Sequence, residues 1–190
     1  MSKTQLSRRH FLLSSLAGLG CAATAGATTI RSSADGEPFP TPTAALAEAW
    51  RLVEEEGVCR AIIQGSAIVS VERGRGVGPL MRLLDAQPQW LKGALLVDSV
   101  VGRTAAAAAV KGGVAKVFAR TASEGASKIL AAANLPLEAK VVVPHIMNRD
   151  LTGVCPIEAA TQALDTPEAI LAAARKALDD LRSKAGEAMA

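Results

Sequence analysis

Residues 94–119 read ALLVDSVVGRTAAAAAVKGGVAKVFA, and the fold is decided here. Ala94–Val101 is a strong apolar strand of suitable length. Asp98 interrupts it; a carboxylate in mid-strand is expensive to bury unpaired, so an Arg partner or a role in a site is expected. Gly102 passes the chain into a helix over Arg103–Lys111. The run Ala105–Ala109 favours helix and allows near approach of its neighbours, and Gly112-Gly113 supplies the stop. Val114–Ala119 returns as a second strand. This is a βαβ unit, whose strands lie parallel with the helix on one face.

The same reading extends in both directions. Upstream, Pro42-Thr43 opens a helix with Ala45, Leu46, Ala49, Trp50 and Val53 on one face, and Glu54-Glu55-Glu56-Gly57 ends it. Val58–Ile63 and Ala67–Val71 form a hairpin through Gln64-Gly65-Ser66. A basic, glycine-rich loop, Arg73-Gly74-Arg75-Gly76-Val77-Gly78, leads to a helix around Pro79–Ala86. Downstream, Ser123–Ala133 is a helix with Ser123 as N-cap, and Ala139–Val143 is a strand. A polar loop from His145 to Val154 then leads into a short helix at Pro156. A terminal helix starts at Asp165-Thr166-Pro167-Glu168, with proline at its first position, and runs to about Ala185. The predicted order is α-β-β-α-β-α-β-α-β-α-α. It implies an α/β fold with a single mixed β-sheet of about five strands flanked by helices.

Composition narrows the function. The chain has 190 residues, 49% hydrophobic and 3% aromatic, with 21 Lys+Arg against 18 Asp+Glu. It is neither disordered, collagen-like nor a disulfide scaffold. The net charge of +3 is carried entirely by Lys3, Arg8 and Arg9 near the N-terminus. The remainder is balanced and contains no Tyr, which speaks against an electrostatic or stacking nucleic-acid binder.

The opening residues read as an address. A polar, positive start is followed by Ser7-Arg8-Arg9-His10-Phe11-Leu12 and a short apolar stretch ending in Ala25-Gly26-Ala27, the layout of an export signal. The arginine pair resembles the twin-arginine signal that exports folded proteins. The apolar stretch is too short and too rich in Gly and Ala for a membrane span. Residues 1–27 are therefore read as a twin-arginine export signal, 28–42 as a flexible Ser/Thr/Gly/Pro linker and 43–185 as the α/β domain. The expected location is the periplasm. Gly18-Leu19-Gly20-Cys21 is a poor lipoprotein box, so cleavage near Ala27 is favoured over lipidation at Cys21.

In open α/β sheets ligands bind beyond the carboxyl ends of the strands. Asp98–Thr104, Arg120–Ser123 and His145–Glu158 all fall there. Cys155 precedes Pro156 and so occupies a helix N-cap, where the dipole favours a thiolate. It is the candidate nucleophile, with Asp150 or Glu158 as acid/base. Asn148, Arg149, Thr152 and Gly153 would hold a polar ligand, and the alternative is a loop that merely caps a helix. Arg103 in a first helical turn is electrostatically unfavourable. It becomes sensible if an anion rests on the helix amides, Thr104 and the guanidinium, and the alternatives are a solvated Arg or a pair with Asp98. Arg75 could lie over a phosphate or carboxylate. Cys59 and Cys155 could instead pair as a disulfide in an oxidising compartment. No heptad pattern or apolar edge announces an oligomer.

At Asn148-Arg149-Asp150-Leu151-Thr152-Gly153-Val154-Cys155-Pro156-Ile157-Glu158 the chain resembles an uncharacterised prokaryotic family, domain of unknown function 1893. The likeness extends to Gly74-Arg75-Gly76-Val77-Gly78-Pro79-Leu80, Asp98–Arg103 and Lys111-Gly112-Gly113-Val114, over about residues 43–180. The resemblance implies a cytidine-deaminase-like architecture. The family pattern has Lys where Ser99 and Arg103 stand and Gly where Leu151 stands. Zinc deaminases need His/Cys-x-Glu at one helix start and Pro-Cys-x-x-Cys at the next, whereas this chain has Gly102-Arg103-Thr104-Ala105 and Thr121-Ala122-Ser123-Glu124. No metal or other cofactor is therefore expected. The expectation is an exported, zinc-free domain that binds a small polar or anionic metabolite, with catalysis through Cys155 open. A non-catalytic periplasmic sensor or accessory module is the alternative, and a metal-dependent hydrolase the third. The expected partners are that metabolite and the twin-arginine export machinery.

Overall fold

The β3–α3–β4 unit sits at the centre of the molecule. In the computed structural model, which describes residues 42–55, 57–74 and 76–187, β3 is Leu95–Val101, α3 is Arg103–Gly112 and β4 is Lys116–Ser123. The stretch read as an export signal, Cys21 within it, the stretch read as a linker up to residue 41, and Arg75 lie outside the described residues. Before this unit come α1 (Pro42–Glu54), β1 (Val58–Gln64), β2 (Ala67–Arg73), α2 (Gly78–Ala86) and a 3-10 turn at Pro88–Trp90. After it come α4 (Glu124–Ala132), β5 (Leu137–Val143), α5 (Pro156–Thr161) and α6 (Pro167–Glu187). Apart from the added 3-10 turn, the element order is the one the sequence implies.

The five strands form one mixed sheet in the order β2-β1-β3-β4-β5. β1 is antiparallel to both β2 and β3, while β3, β4 and β5 run parallel. Strand alternation divides the core. Ile62, Leu96 and Val117 face α2, α3, α4 and α6; Ala61, Ile63, Val97 and Phe118 face α1.

The alanine run explains why α3 can be central. Ala105–Ala109 are all 3% exposed or less, and the helix packs against α2, α4, α5 and α6 at once. Only small side chains permit that many close approaches. The two glycines that end it have separate reasons. Gly113 takes a left-handed conformation (φ +69°) that closes the helix end, whereas a Cβ on Gly112 would lie 2.7 Å from Leu91.

One boundary differs in a way that matters for the site. Arg120–Ser123 are not a rim loop but the last half of β4, with Thr121, Ala122 and Ser123 paired to Val141, Val142 and Val143. The chain leaves the sheet only at Ser123, whose Oγ accepts from Ala126 N–H at 3.1 Å and caps α4. β2 runs in the same sense as the parallel strands. The segments after β2, β3, β4 and β5 therefore all emerge at one edge. Among the described residues no helix is long and apolar enough to cross a membrane.

Candidate functional site

The start of α3 and the Asn148–Glu158 stretch do meet. The backbone N–H of Arg103, the first residue of α3, donates to Glu158 Oε2 at 2.9 Å. Glu158 projects from α5 and is buried. The helix start thus holds a negative charge where its dipole and unpaired amides favour one, and the chain itself supplies that charge. Gly102 makes the approach feasible, because a Cβ there would lie 2.6 Å from Glu158 Oε2 and 3.2 Å from Ile146 Cγ1.

The Arg103 side chain is spent elsewhere. Its Nε donates to Thr161 O at 2.9 Å, and its Nη2 donates to Leu164 O. These are carbonyls at the end of α5 and in the turn beyond it, and Thr161 O also accepts from Leu164 N–H at 3.1 Å. Gly125 clears the path, since a Cβ there would sit 2.8–3.0 Å from the Arg103 side chain. Arg103 therefore clamps the short helix α5 against α3 and α4. The alternative of an Arg103 pair with Asp98 is not formed, because Asp98 is taken by Arg60.

Two polar atoms in this corner have no partner. Glu158 Oε1 and Thr104 Oγ1 are buried without a hydrogen bond, and Ser70 Oγ is the one other such atom among the described residues. Buried polar groups are seldom left unsatisfied.

Residues 146–155 form a small hairpin. Asn148 N–H donates to Gly153 O at 2.8 Å, Cys155 N–H donates to Ile146 O at 2.8 Å, and Met147 bridges Val154. The Asn148 side chain closes the turn: its Oδ1 accepts from the N–H of Thr152 and Gly153, and its Nδ2 donates to Thr152 Oγ1. Asn148, Thr152 and Gly153 thus build the loop. Arg149 and Asp150 are exposed at its tip. Leu151 has φ +56°, a left-handed conformation that side chains with a Cβ resist.

Asp98 has the Arg partner its position demands, and that partner is Arg60 on β1. Arg60 Nε donates to Asp98 Oδ2 at 2.8 Å and Nη1 to Glu72 Oε2 at 2.8 Å. Nη2 reaches Gly76 O at 3.4 Å in the loop after β2. Asp98 Oδ1 accepts from Val100 N–H. All three charged side chains are buried. Burial works against the Arg60 charge, but Asp98 and Glu72 outweigh it and hold the guanidinium above its ordinary range. Arg60 escaped the sequence reading because it stands alone in an apolar strand. Its one signal was that Asp98 lies on a strand with the same buried character.

Cys155 is the N-cap of α5, half-buried against the apolar core, and its side chain makes no capping hydrogen bond. His145 is exposed. Cys59 and Cys155 are both free thiols rather than a bridge. Cys59 donates from Sγ to Glu72 O at 3.2 Å, and burial pushes its thiol pKa up. Among the described residues no three His, Cys, Asp or Glu side chains group so as to hold a metal ion.

One solved structure agrees with this architecture, and a family model matches most of the chain. The family model described as "TM1506: Domain of unknown function (DUF1893)" matches residues 48–178. A DUF1893 family protein from Thermotoga maritima is 24% identical, covering 72% of this chain and 89% of that one, with a TM-score of 0.63. NE0047 in complex with 2,6-diaminopurine is 13% identical, covering 74% of this chain and 83% of that one, with a TM-score of 0.39. That likeness is too distant to carry its ligand across. No curated protein matches the sequence.

Proposed function

Since the chain belongs to the DUF1893 family, we propose that it is an exported, zinc-free domain that binds a small polar molecule where α3, α5 and the 146–155 hairpin meet. One observation carries this reading: Glu158, whose Oε2 holds the start of α3, and Thr104 in the first turn of that helix each bury a side-chain oxygen, Oε1 and Oγ1, that has no partner. The ligand would present an N–H or O–H donor to the carboxylate oxygen. The helix start already holds a negative charge, so a neutral or cationic donor fits better than an anion. Ile146, packed over Gly102, places the hairpin as the cover of this corner.

Catalysis has less support than binding. Arg103 and Asn148 spend their side chains inside the fold, and Cys155 has no capping bond to fix its thiol. Those facts favour a non-catalytic binding or accessory module as the second reading. Glu158 remains the residue through which proton transfer would run.

Native mass spectrometry of the protein purified without chelators tests binding directly. A bound molecule should appear and be lost in Glu158→Gln, in which an amide donor replaces the unpaired acceptor. In thermal shift, methylammonium and acetamide should stabilise the wild type while acetate and phosphate do not. Export is tested by replacing Arg8 and Arg9 with Lys, which should retain the protein in the cytoplasm of a host with twin-arginine transport.

A further inference from the structure

β5 is one of the two edge strands of the sheet, β2 being the other. The sole strand neighbour of β5 is β4, and Val141 and Val142 are 52% and 54% exposed. Open edges are pairing templates and are ordinarily blunted by bulges, proline, short length or charged side chains, of which β5 has the charges alone, Glu138 and Lys140. β5 runs for seven residues with no bulge and no internal proline. Beside it lies an apolar groove lined by Ala131, Leu135, Pro136, Leu137 and Ala139.

The hydrogen-bond parity of this edge is fixed by its inner side. Val117 stands opposite Leu137 and donates its N–H to Pro136 O at 2.9 Å. In a parallel ladder the bracketing residues turn their backbone groups inward, and the bracketed residue turns its own outward. Pro136, Glu138, Lys140 and Val142 therefore face β4. The N–H and C=O groups of Leu137, Ala139 and Val141 point away from the sheet.

We infer that two copies of this chain pair antiparallel through β5, with the two-fold axis at Ala139. Only certain registers satisfy the parity, and charge selects among them. Centring on Ala139 gives hydrogen-bonded pairs Leu137–Val141, Ala139–Ala139 and Val141–Leu137. It also sets Glu138 opposite Lys140 of the second copy, twice, in the closer non-hydrogen-bonded positions where cross-strand pairs interact best. Centring on Glu138 or Lys140 would oppose like charges, and centring on Val141 would set Lys140 against Val142. In the single copy both charged residues already have partners on the outer face: Glu138 pairs with Lys116, and Lys140 pairs with Glu54 and lies over the Trp50 ring. The pairing extends that row of alternating charges across the axis. An isologous contact of this kind closes at two copies instead of growing into a filament.

Sedimentation across a concentration series tests the pairing. The wild type should reach dimer mass. Ala139→Pro removes an outward N–H and no bond to β4, so the variant should fold and stay monomeric. Glu138→Lys puts like charges opposite each other and should weaken the dimer about tenfold or more. Adding Lys140→Glu to it should restore association, a readout that does not depend on the proline variant folding. In the wild type, amide exchange at Leu137, Ala139 and Val141 should slow as concentration rises. A wild type that stays monomeric, a dimer that survives Ala139→Pro, or a charge swap that fails to restore pairing would each overturn the inference.

Discussion

Glu158 Oε2 accepts the backbone N–H of Arg103 across a separation of 55 residues. α3 is thereby capped by a carboxylate from α5, and α5 is held in turn through the carbonyls that the Arg103 side chain grips. Backbone and side chain of a single residue thus tie the two helices together in opposite senses. Such a cap does the work that a local Ser or Asp usually does at a helix start. Gly102 cannot supply a capping side chain.

Glu158→Ala removes the cap and strands a buried N–H, so it should cost about 2–3 kcal/mol. Glu158→Gln retains an acceptor for Arg103 and should cost less than half of that. Urea unfolding with unchanged m-values measures both. A loss under about 0.5 kcal/mol for Glu158→Ala would show that the cap is idle.

Gly125 and Arg103 should be coupled. Within a helix, Gly→Ala ordinarily stabilises by roughly 0.5–1 kcal/mol. Here the added methyl would meet Arg103 Cγ and Cδ at 2.9 and 3.0 Å, so Gly125→Ala should destabilise the wild type by about 1–3 kcal/mol. In an Arg103→Ala background the same change should be neutral or stabilising. The cycle's interaction energy is the measurement, and additivity within a few tenths of a kcal/mol would refute the contact.

The Arg60 cluster makes a different prediction. Asp98→Ala leaves a buried guanidinium short of charge and should cost about 3–5 kcal/mol. Replacing Arg60, Asp98 and Glu72 together by Met, Leu and Leu should be far milder, because no buried charge is stranded. Chemical denaturation of the wild type and these two variants decides the matter. A triple variant worse than Asp98→Ala would mean that the cluster contributes more than self-cancelling charge.

The contrast between these two polar networks shows what the sequence discloses. The βαβ unit, the hairpin at Gly65-Ser66 and the caps at Ser123 and Gly113 were legible because each is set by residues a few positions apart. Arg103 was legible as an oddity, and the sequence reading put there a bound anion held by the helix amides, Thr104 and the guanidinium, whereas the guanidinium grips backbone carbonyls. What could not be read was that the anion is Glu158, because that pairing depends on how α5 folds back over the sheet edge. Arg60 was invisible for the same reason: its partners come from β2 and β3, and only the strand order β2-β1-β3 brings them to one point. The open β5 edge followed from strand order too, which a list of elements does not contain. The Asn148 turn looked like a ligand loop, since the polar residues that build a tight hairpin are the same types that bind ligands.

Leu151 tests that turn. At φ +56° and 75% exposed, it gains little from burial and resists its own backbone. Leu151→Gly should relieve strain of about 1–2 kcal/mol while losing part of that to unfolded-chain entropy, for a net gain of roughly 0.5–1 kcal/mol. Leu151→Val, branched at Cβ, should lose stability. Thermal melts of the three proteins give the order directly, and a Gly variant less stable than the wild type would place the strain elsewhere.

Cys59 and Cys155 should separate by reactivity and by pH. Cys59 is buried, and burial holds its thiol pKa above the usual value, so iodoacetamide at neutral pH should label Cys155 and spare Cys59 until the protein unfolds. The sign of the stability effect follows from the same shift. Below about pH 8.5 both folded and unfolded chains keep the Cys59 proton, and the group contributes nothing to pH dependence. Above it the unfolded chain releases the proton while the folded chain retains it, so stability falls with a limiting slope near 1.4 kcal/mol per pH unit. The decline stops once pH passes the raised folded value. Comparing Cys59→Ala with the wild type isolates this contribution, because the other alkaline titrations are common to both. The stability difference between them should move in favour of the variant as pH rises from about 8 to 10, and a constant difference would mean that the Cys59 thiol ionises as freely in the folded protein as in the unfolded chain.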